Sequence, residues 1–186
     1  MPQRYTTPAI VLHWLIAAMI IVNVALAWIW DSLPDADVRP TINMHKSIGI
    51  TVLGFAILRL LWRATHRPPE FPTSYQRWER RLSQGVHGLL YFLMFALPLT
   101  GWIMDSAWAK AAANPIHWFG LFDFPRIGAI MRLDPATKKQ IHEGFGALHS
   151  LSAKLLYGLL ALHVGGALKH QWLDRERELQ RMWPGS

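Results

Sequence analysis

Four long stretches nearly empty of charge set the terms for this chain. Residues 8–30 and 86–104 contain no Asp, Glu, Lys or Arg; residues 47–62 contain only Arg59, and residues 144–168 only Lys154. A bilayer core ~30 Å thick requires about 20 apolar residues of helix. Within hydrocarbon every backbone N–H and C=O must be bonded inside the chain, which leaves helices or closed barrels. No strand-like alternation competes with helix. The expectation is therefore an all-α integral membrane protein, an antiparallel four-helix bundle with spans near 8–30, 45–63, 84–104 and 144–170, in one domain covering 1–186. Charged residues make up 17% of the chain, against the roughly 25% of a soluble domain.

Charge also sets the expected topology. With four spans, both termini share one side. Arg4, Arg59, the 63–81 link and the tail from Lys169 put eleven Lys/Arg and five acids there, while the other side has seven of each. The positive-inside rule then places both termini in the cytoplasm. The net charge of +7 follows from this sorting and calls for no nucleic-acid partner. Trp28, Trp30, Trp62, Trp102 and Trp172 fall at span ends, the headgroup level that indole rings favour. Leu33-Pro34-Asp35, Arg67-Pro68-Pro69, Asn114-Pro115, Phe124-Pro125 and Asp134-Pro135 mark turns in the links. Pro98 is expected to kink the third span, and the run from Ile116 to Phe122 to lie along the membrane surface. Ala25-Leu26-Ala27 resembles a leader cleavage site, but the apolar run before it exceeds a leader's 7–15 residues.

The chemistry rests on histidine. The chain has no cysteine, which removes disulfides, thiolate ligands, iron–sulfur clusters and thioether-linked haem. His13, His45, His149 and His163 lie in or at the edge of the spans. Coordinating side chains inside a bilayer are rare and mark function. His149 and His163 are 14 positions apart on one helix, sharing a face ~21 Å apart along the axis. Counting along an up-and-down bundle, His13 sits ~8 Å and His163 ~10 Å from the cytoplasmic edge. His45 and His149 both lie near the opposite edge. Neutral imidazole is a standard axial ligand of haem iron, so two matched pairs point to two haems b stacked within the membrane. Each single histidine could instead be a hydrogen-bonded packing residue; four at matched depths favour ligation. His142, seven residues before His149 on the same stripe, stays open as an alternative ligand. His66 reads as a solvated link residue and His117 as interfacial. Lys154 points away from the ligand face, and no role follows for it.

Several motifs carry a family likeness. They are Leu12-His13-Trp14; Ile42-Asn43-Met44-His45-Lys46 with Gly49 and Arg59-Leu60-Leu61-Trp62-Arg63; His87-Gly88-Leu89-Leu90-Tyr91 with Ala96-Leu97-Pro98 and Gly101; and His149 through Leu162-His163 to Ala167-Leu168-Lys169-His170. Together they resemble the bacterial cytochrome b561 family of small di-haem inner-membrane proteins, over nearly the whole chain. The resemblance implies His13 and His163 on the cytoplasmic-side haem and His45 and His149 on the outer one, the pairing that depth gives independently.

One branch of that family oxidises superoxide outside and passes the electrons to ubiquinone. On this model the expected function is an oxidoreductase of the bacterial inner membrane. His87 and His170 are candidates for the quinone site, or else plain interfacial side chains. Lys46, Arg126, Arg132, Lys138 and Lys139 are candidates for steering superoxide, although Asp123, Asp134 and Glu143 weaken that field. A second reading uses the same haems to oxidise quinol and feed a periplasmic redox partner docked on the 105–141 link. A third is a haem-free transporter or assembly factor. The chain has no Gly-x-Ser-x-Gly, no His-Glu-x-x-His and no phosphate-binding glycine loop, which excludes the corresponding soluble enzymes.

Overall fold

The computed structural model describes residues 4–184. Helix α1 is Thr7–Ile29, α2 Asp35–Thr65, α3 Arg77–Ser106, α4 the single turn Gly128–Met131, and α5 Pro135–Trp172. The short strands β1 (Ile116–Trp118) and β2 (Phe122–Phe124) lie between α3 and α4. Four segments, Thr7–Ser32, Asp35–Thr65, Arg77–Ser106 and Pro135–Leu173, are long and apolar enough to cross a membrane. The protein is a four-helix membrane bundle. Large apolar side chains such as Ile21, Leu61, Phe92 and Leu151 are each more than 60% exposed, as expected where the surrounding solvent is lipid.

Two hairpins build the bundle. α1 packs on α2 and α3 on α5, with a lesser α2–α3 contact; α5 makes no comparably close backbone approach to α1 or α2. Each helix turns a stripe spaced by three and four residues inward: Ile16 and Ile20 on α1, Ile48, Val52 and Ala56 on α2, Val86, Leu90, Leu93 and Leu97 on α3, and Ser152, Leu156 and Leu159 on α5.

Helix ends differ from the span limits that hydropathy suggests. α2 begins ten residues before His45, with Pro34 as its N-cap and Asp35 and Asp37 in its first turn. α5 begins at Pro135, where the Asp134 side chain accepts from the Ala136 and Thr137 amides. Hydropathy marks the lipid-crossing part of a helix, whereas caps mark its end. The connection between β1 and β2 is also a departure. The segment expected as a surface run forms an antiparallel hairpin with Ile116 opposite Phe124 and Trp118 opposite Phe122. Phe119 and Gly120, at φ 48° and 74°, make its tight left-handed turn. Strands of three residues are too short to show alternation in a sequence. Pro98 lies inside an unbroken α3.

Ion pairs join the elements at each end. Asp105 at the end of α3 receives Lys46 of α2 at 2.5 Å and Arg126 of the link at 2.8 Å. At the face carrying both termini, Lys169 of α5 meets Glu79 of α3 at 2.5 Å and Asp174 at 2.8 Å. The tail then folds back: Arg181 donates to the carbonyls of Pro69 and Glu70, and Trp14 donates to that of Met182.

Candidate functional site

The histidines form two tiers. Nearer the termini, the rings of His13 (α1) and His163 (α5) have centroids 6.0 Å apart at 74°. Nearer the hairpin, His45 (α2) and His149 (α5) have centroids 6.3 Å apart at 71°. A metal bonded at ~2 Å to one nitrogen of each imidazole, with the half-width of each ring added, sets the ring centres roughly 6 Å apart. Both tiers match that spacing. Both also join α5 to helices that do not pack closely on it.

The hairpin-side tier has its tautomers set. His149 Nδ1 donates to the Leu97 carbonyl at 3.0 Å and lies 3.1 Å from Thr100 Oγ1. His45 Nδ1 donates to the Asn23 carbonyl at 3.1 Å. A carbonyl only accepts, so Nδ1 carries the proton and Nε2 keeps its lone pair for a metal. Gly101 backs His149 so closely that a Cβ there would lie 3.3 Å from the ring. Trp30 meets the His45 ring edge-on at 5.3 Å. Asn23 Oδ1 is buried with no hydrogen-bond partner among the described residues, a polar atom left open beside this tier.

The other tier is framed by rings. Trp14 stands 5.3 Å from His13, and His87 stands edge-on 5.0 Å from His163. His87 is closer to His163 than a shared iron requires, and its Nδ1 is held by the Ser83 carbonyl at 2.7 Å. Val86, Leu93, Leu156 and Leu159 form a buried apolar cluster where α3 meets α5, flanked by Ile20, Val24 and Leu90, and Leu156 lies midway along α5 between His149 and His163.

The remaining sequence candidates separate. His170 stacks on Tyr75 at 3.9 Å and bonds Asp174 at 2.6 Å, apart from the contacts of His87. Glu79, His170 and Asp174 offer clustered ligand atoms, but the Lys169 ammonium already bonds both carboxylates. That bond is the main cause holding the Asp174 carboxyl below its usual range. His142 bonds the Met104 carbonyl at 2.8 Å, which ties α5 to α3. Among the steering candidates, Arg126 has a side chain only 5% exposed and is bonded to Asp105 and two carbonyls. Lys46 is half-buried against Asp105, Lys138 is half-buried, and Arg132 and Lys139 are exposed. Sequence reasoning passed over Asn23, Thr100 and Asp105. Asn23 was the most legible of them, the one side-chain amide in residues 8–30.

The fold and the paired tiers define a class: membrane four-helix bundles that present facing imidazoles from separate helices. Comparison makes this specific. The family model for prokaryotic cytochrome b561 matches residues 4–185, and the chain belongs to that family, whose members are haem b electron-transfer proteins of membranes. It is 32% identical over 184 residues to cytochrome b561 homolog 2 of Escherichia coli K12, covering 97% of this chain and 92% of the relative. Cytochrome b561 homolog 1 of the same organism is 24% identical over 184 residues, covering 98% of each chain. A probable superoxide oxidase CybB of Yersinia pestis is 25% identical over 194 residues, covering 99% of this chain and 98% of the relative.

Proposed function

We propose that this cytochrome holds two haems b, one between His13 and His163 and one between His45 and His149, and carries electrons from superoxide to ubiquinone across the bacterial inner membrane. The ring-to-ring spacing of 6.0 Å and 6.3 Å in the two tiers carries the reading. The name of the Yersinia pestis relative supports the donor, and the excess of basic residues at the face of the termini supports placing that face in the cytoplasm. Haem held by His13 with His163, and by His45 with His149, would supply one-electron carriage rather than oxygen binding.

The reaction balances as two superoxide anions giving two dioxygen molecules and two electrons, which with two protons reduce one ubiquinone to ubiquinol. The protein's residues do the rest. Exposed Arg132 and Lys139, with half-buried Lys138, raise the local concentration of a small anion at the hairpin face. Lys46 and Arg126 add to the field there while Asp105 cancels part of it. His87, with Nδ1 engaged by Ser83, has Nε2 free to bond a quinone oxygen beside the His13–His163 tier. His170 stands nearer the aqueous edge. The apolar cluster around Leu156 keeps water from the space along α5 between His149 and His163.

One observation favours the second reading, in which quinol is oxidised and a periplasmic redox partner is fed. The hairpin exposes Phe119, Leu121 and Phe122, an apolar tip suited to docking. Anaerobic mixing of the purified holoprotein with pulsed superoxide and a short-chain ubiquinone separates the two. Haem reduction on the pulse followed by ubiquinol formation is expected; a silent haem spectrum under superoxide, with rapid reduction by quinol, removes the superoxide reading.

A further inference from the structure

Two sets of cations at the face carrying the termini differ in their partners. Lys169 is paired with Glu79 and Asp174, and Arg181 with Glu178. The second set lines a small, open cleft of about 50 Å³ between the start of α1 and the end of α2, formed in part by Arg4, Arg59, Arg63 and Arg67, and no carboxylate contributes to its walls. Among the described residues, none of these four arginines has an ion pair. Arg4 donates to the Trp183 carbonyl at 2.7 Å and Arg59 to the Tyr91 hydroxyl at 2.9 Å. The guanidinium carbons of Arg59 and Arg63 lie 5.7 Å and 5.6 Å from the centre of the one Tyr91 ring. Two cations held against a single phenol without a counter-charge repel each other, and an anion between them relieves that repulsion.

The walls fix depth and shape. Trp62 donates its indole N–H to Thr6 Oγ1 at 2.8 Å, which bridges α2 to the cap of α1, and His66 stacks on the same indole at 3.8 Å. An indole at a span end marks the headgroup level. Arg59 lies one turn deeper along α2 than Arg63, and Arg67 lies beyond the helix end. The cleft therefore runs from the headgroup layer down to the apolar boundary, with planar donors along it suited to bidentate phosphate recognition. Basic clefts between membrane helices on the cytoplasmic side are the pattern for phospholipid headgroups.

We propose that this cleft binds the phosphate of an anionic phospholipid, with Arg63, Arg67 and Arg4 on the headgroup and Tyr91 and Trp62 against its glycerol end. The inference depends on the membrane placement of the bundle and not on the redox reading. The test is thermal unfolding of the detergent-solubilised holoprotein titrated with phosphatidylglycerol, with phosphatidylcholine, and with inorganic phosphate, for wild type and Arg63→Gln/Arg67→Gln. Phosphatidylglycerol is expected to raise the wild-type midpoint saturably, phosphatidylcholine and phosphate to leave it unmoved, and the double variant to bind about thirtyfold more weakly with its haem spectrum intact. Equal effects of the two lipids, a full response to phosphate alone, or an unchanged response of the double variant each overturn the lipid site. Loss of haem from a variant that stays folded overturns it as well, by reassigning the arginines to the cofactor. If the Gln pair does not fold, Arg63→Lys/Arg67→Lys keeps the charge and removes the bidentate fork, and it must still weaken phosphatidylglycerol binding.

Discussion

Replacing Asp105 by Asn removes the carboxylate that Lys46 and Arg126 share at the hairpin face while keeping the side chain's size. Asp105 and Arg126 have side chains only 9% and 5% exposed, and Lys46 17%. Breaking a buried pair by removing one partner costs about 3–5 kcal/mol, because an uncompensated charge is left behind. Here Arg126 retains the carbonyls of Ala111 and Asn114 at 2.7 Å and 2.6 Å, and Lys46 retains the Trp108 ring at 5.9 Å. Those surviving contacts put the expected loss near the lower limit, about 3 kcal/mol. Lys139→Ala is the internal control. Its partner Glu143 lies at 3.8 Å with both side chains more than 60% exposed, and such a pair is worth about 0.3–0.5 kcal/mol. The assay is equilibrium denaturation of both variants in mixed micelles, followed by tryptophan fluorescence. The reasoning fails if Asp105→Asn costs no more than Lys139→Ala.

Three further outcomes follow from particular contacts. Gly101→Val puts a branched side chain where even a Cβ lies 3.3 Å from His149; it is expected to shift the midpoint potential of the hairpin-side haem and leave the other unchanged, read by spectroelectrochemical titration. Hydrogen bonds from Thr137 and Ala136 hold the Asp134 carboxyl below its usual range. A lowered folded pKa contributes stability that is present above the unfolded value, near pH 4, and is lost as pH falls through the folded value. The gap in unfolding midpoint between wild type and Asp134→Ala should therefore be widest near neutrality and narrow below pH 4; a gap independent of pH would contradict the capping role. Leu156→Ala opens a hole in the apolar cluster between α3 and α5 at a residue only 4% exposed, with an expected loss of about 2–5 kcal/mol measured by the same denaturation assay.

The bundle was legible because lipid permits few backbone solutions. Stretches of helical length nearly empty of charge named four crossings, and a fixed rise per residue put His13 at the depth of His163 and His45 at the depth of His149. What was not legible depended on contacts distant in sequence or on chemistry outside the bilayer. Asp105 lies 59 positions from Lys46 and 21 from Arg126, and nothing in a linear reading marks it as their shared counter-charge. Arg126, counted as a surface cation from its place in a link, is instead the buried pin of that link. The His149–Leu97 bond uses a backbone carbonyl, which has no signature in side-chain identity. The first three turns of α2 and the start of α5 escaped a hydropathy limit because they continue the helix past the lipid. Asn23 could have been weighed, since a carboxamide in an otherwise apolar span has to bond to something.

The account stands on both tiers binding iron porphyrin, and haem-to-protein stoichiometry tests this most directly. Pyridine haemochromogen analysis of the wild type, His45→Ala and His163→Ala, each shown to be folded by circular dichroism, is expected to give two haems, one haem and one haem per chain. A single haem in the wild type, or a variant that keeps both, would contradict the two-tier arrangement.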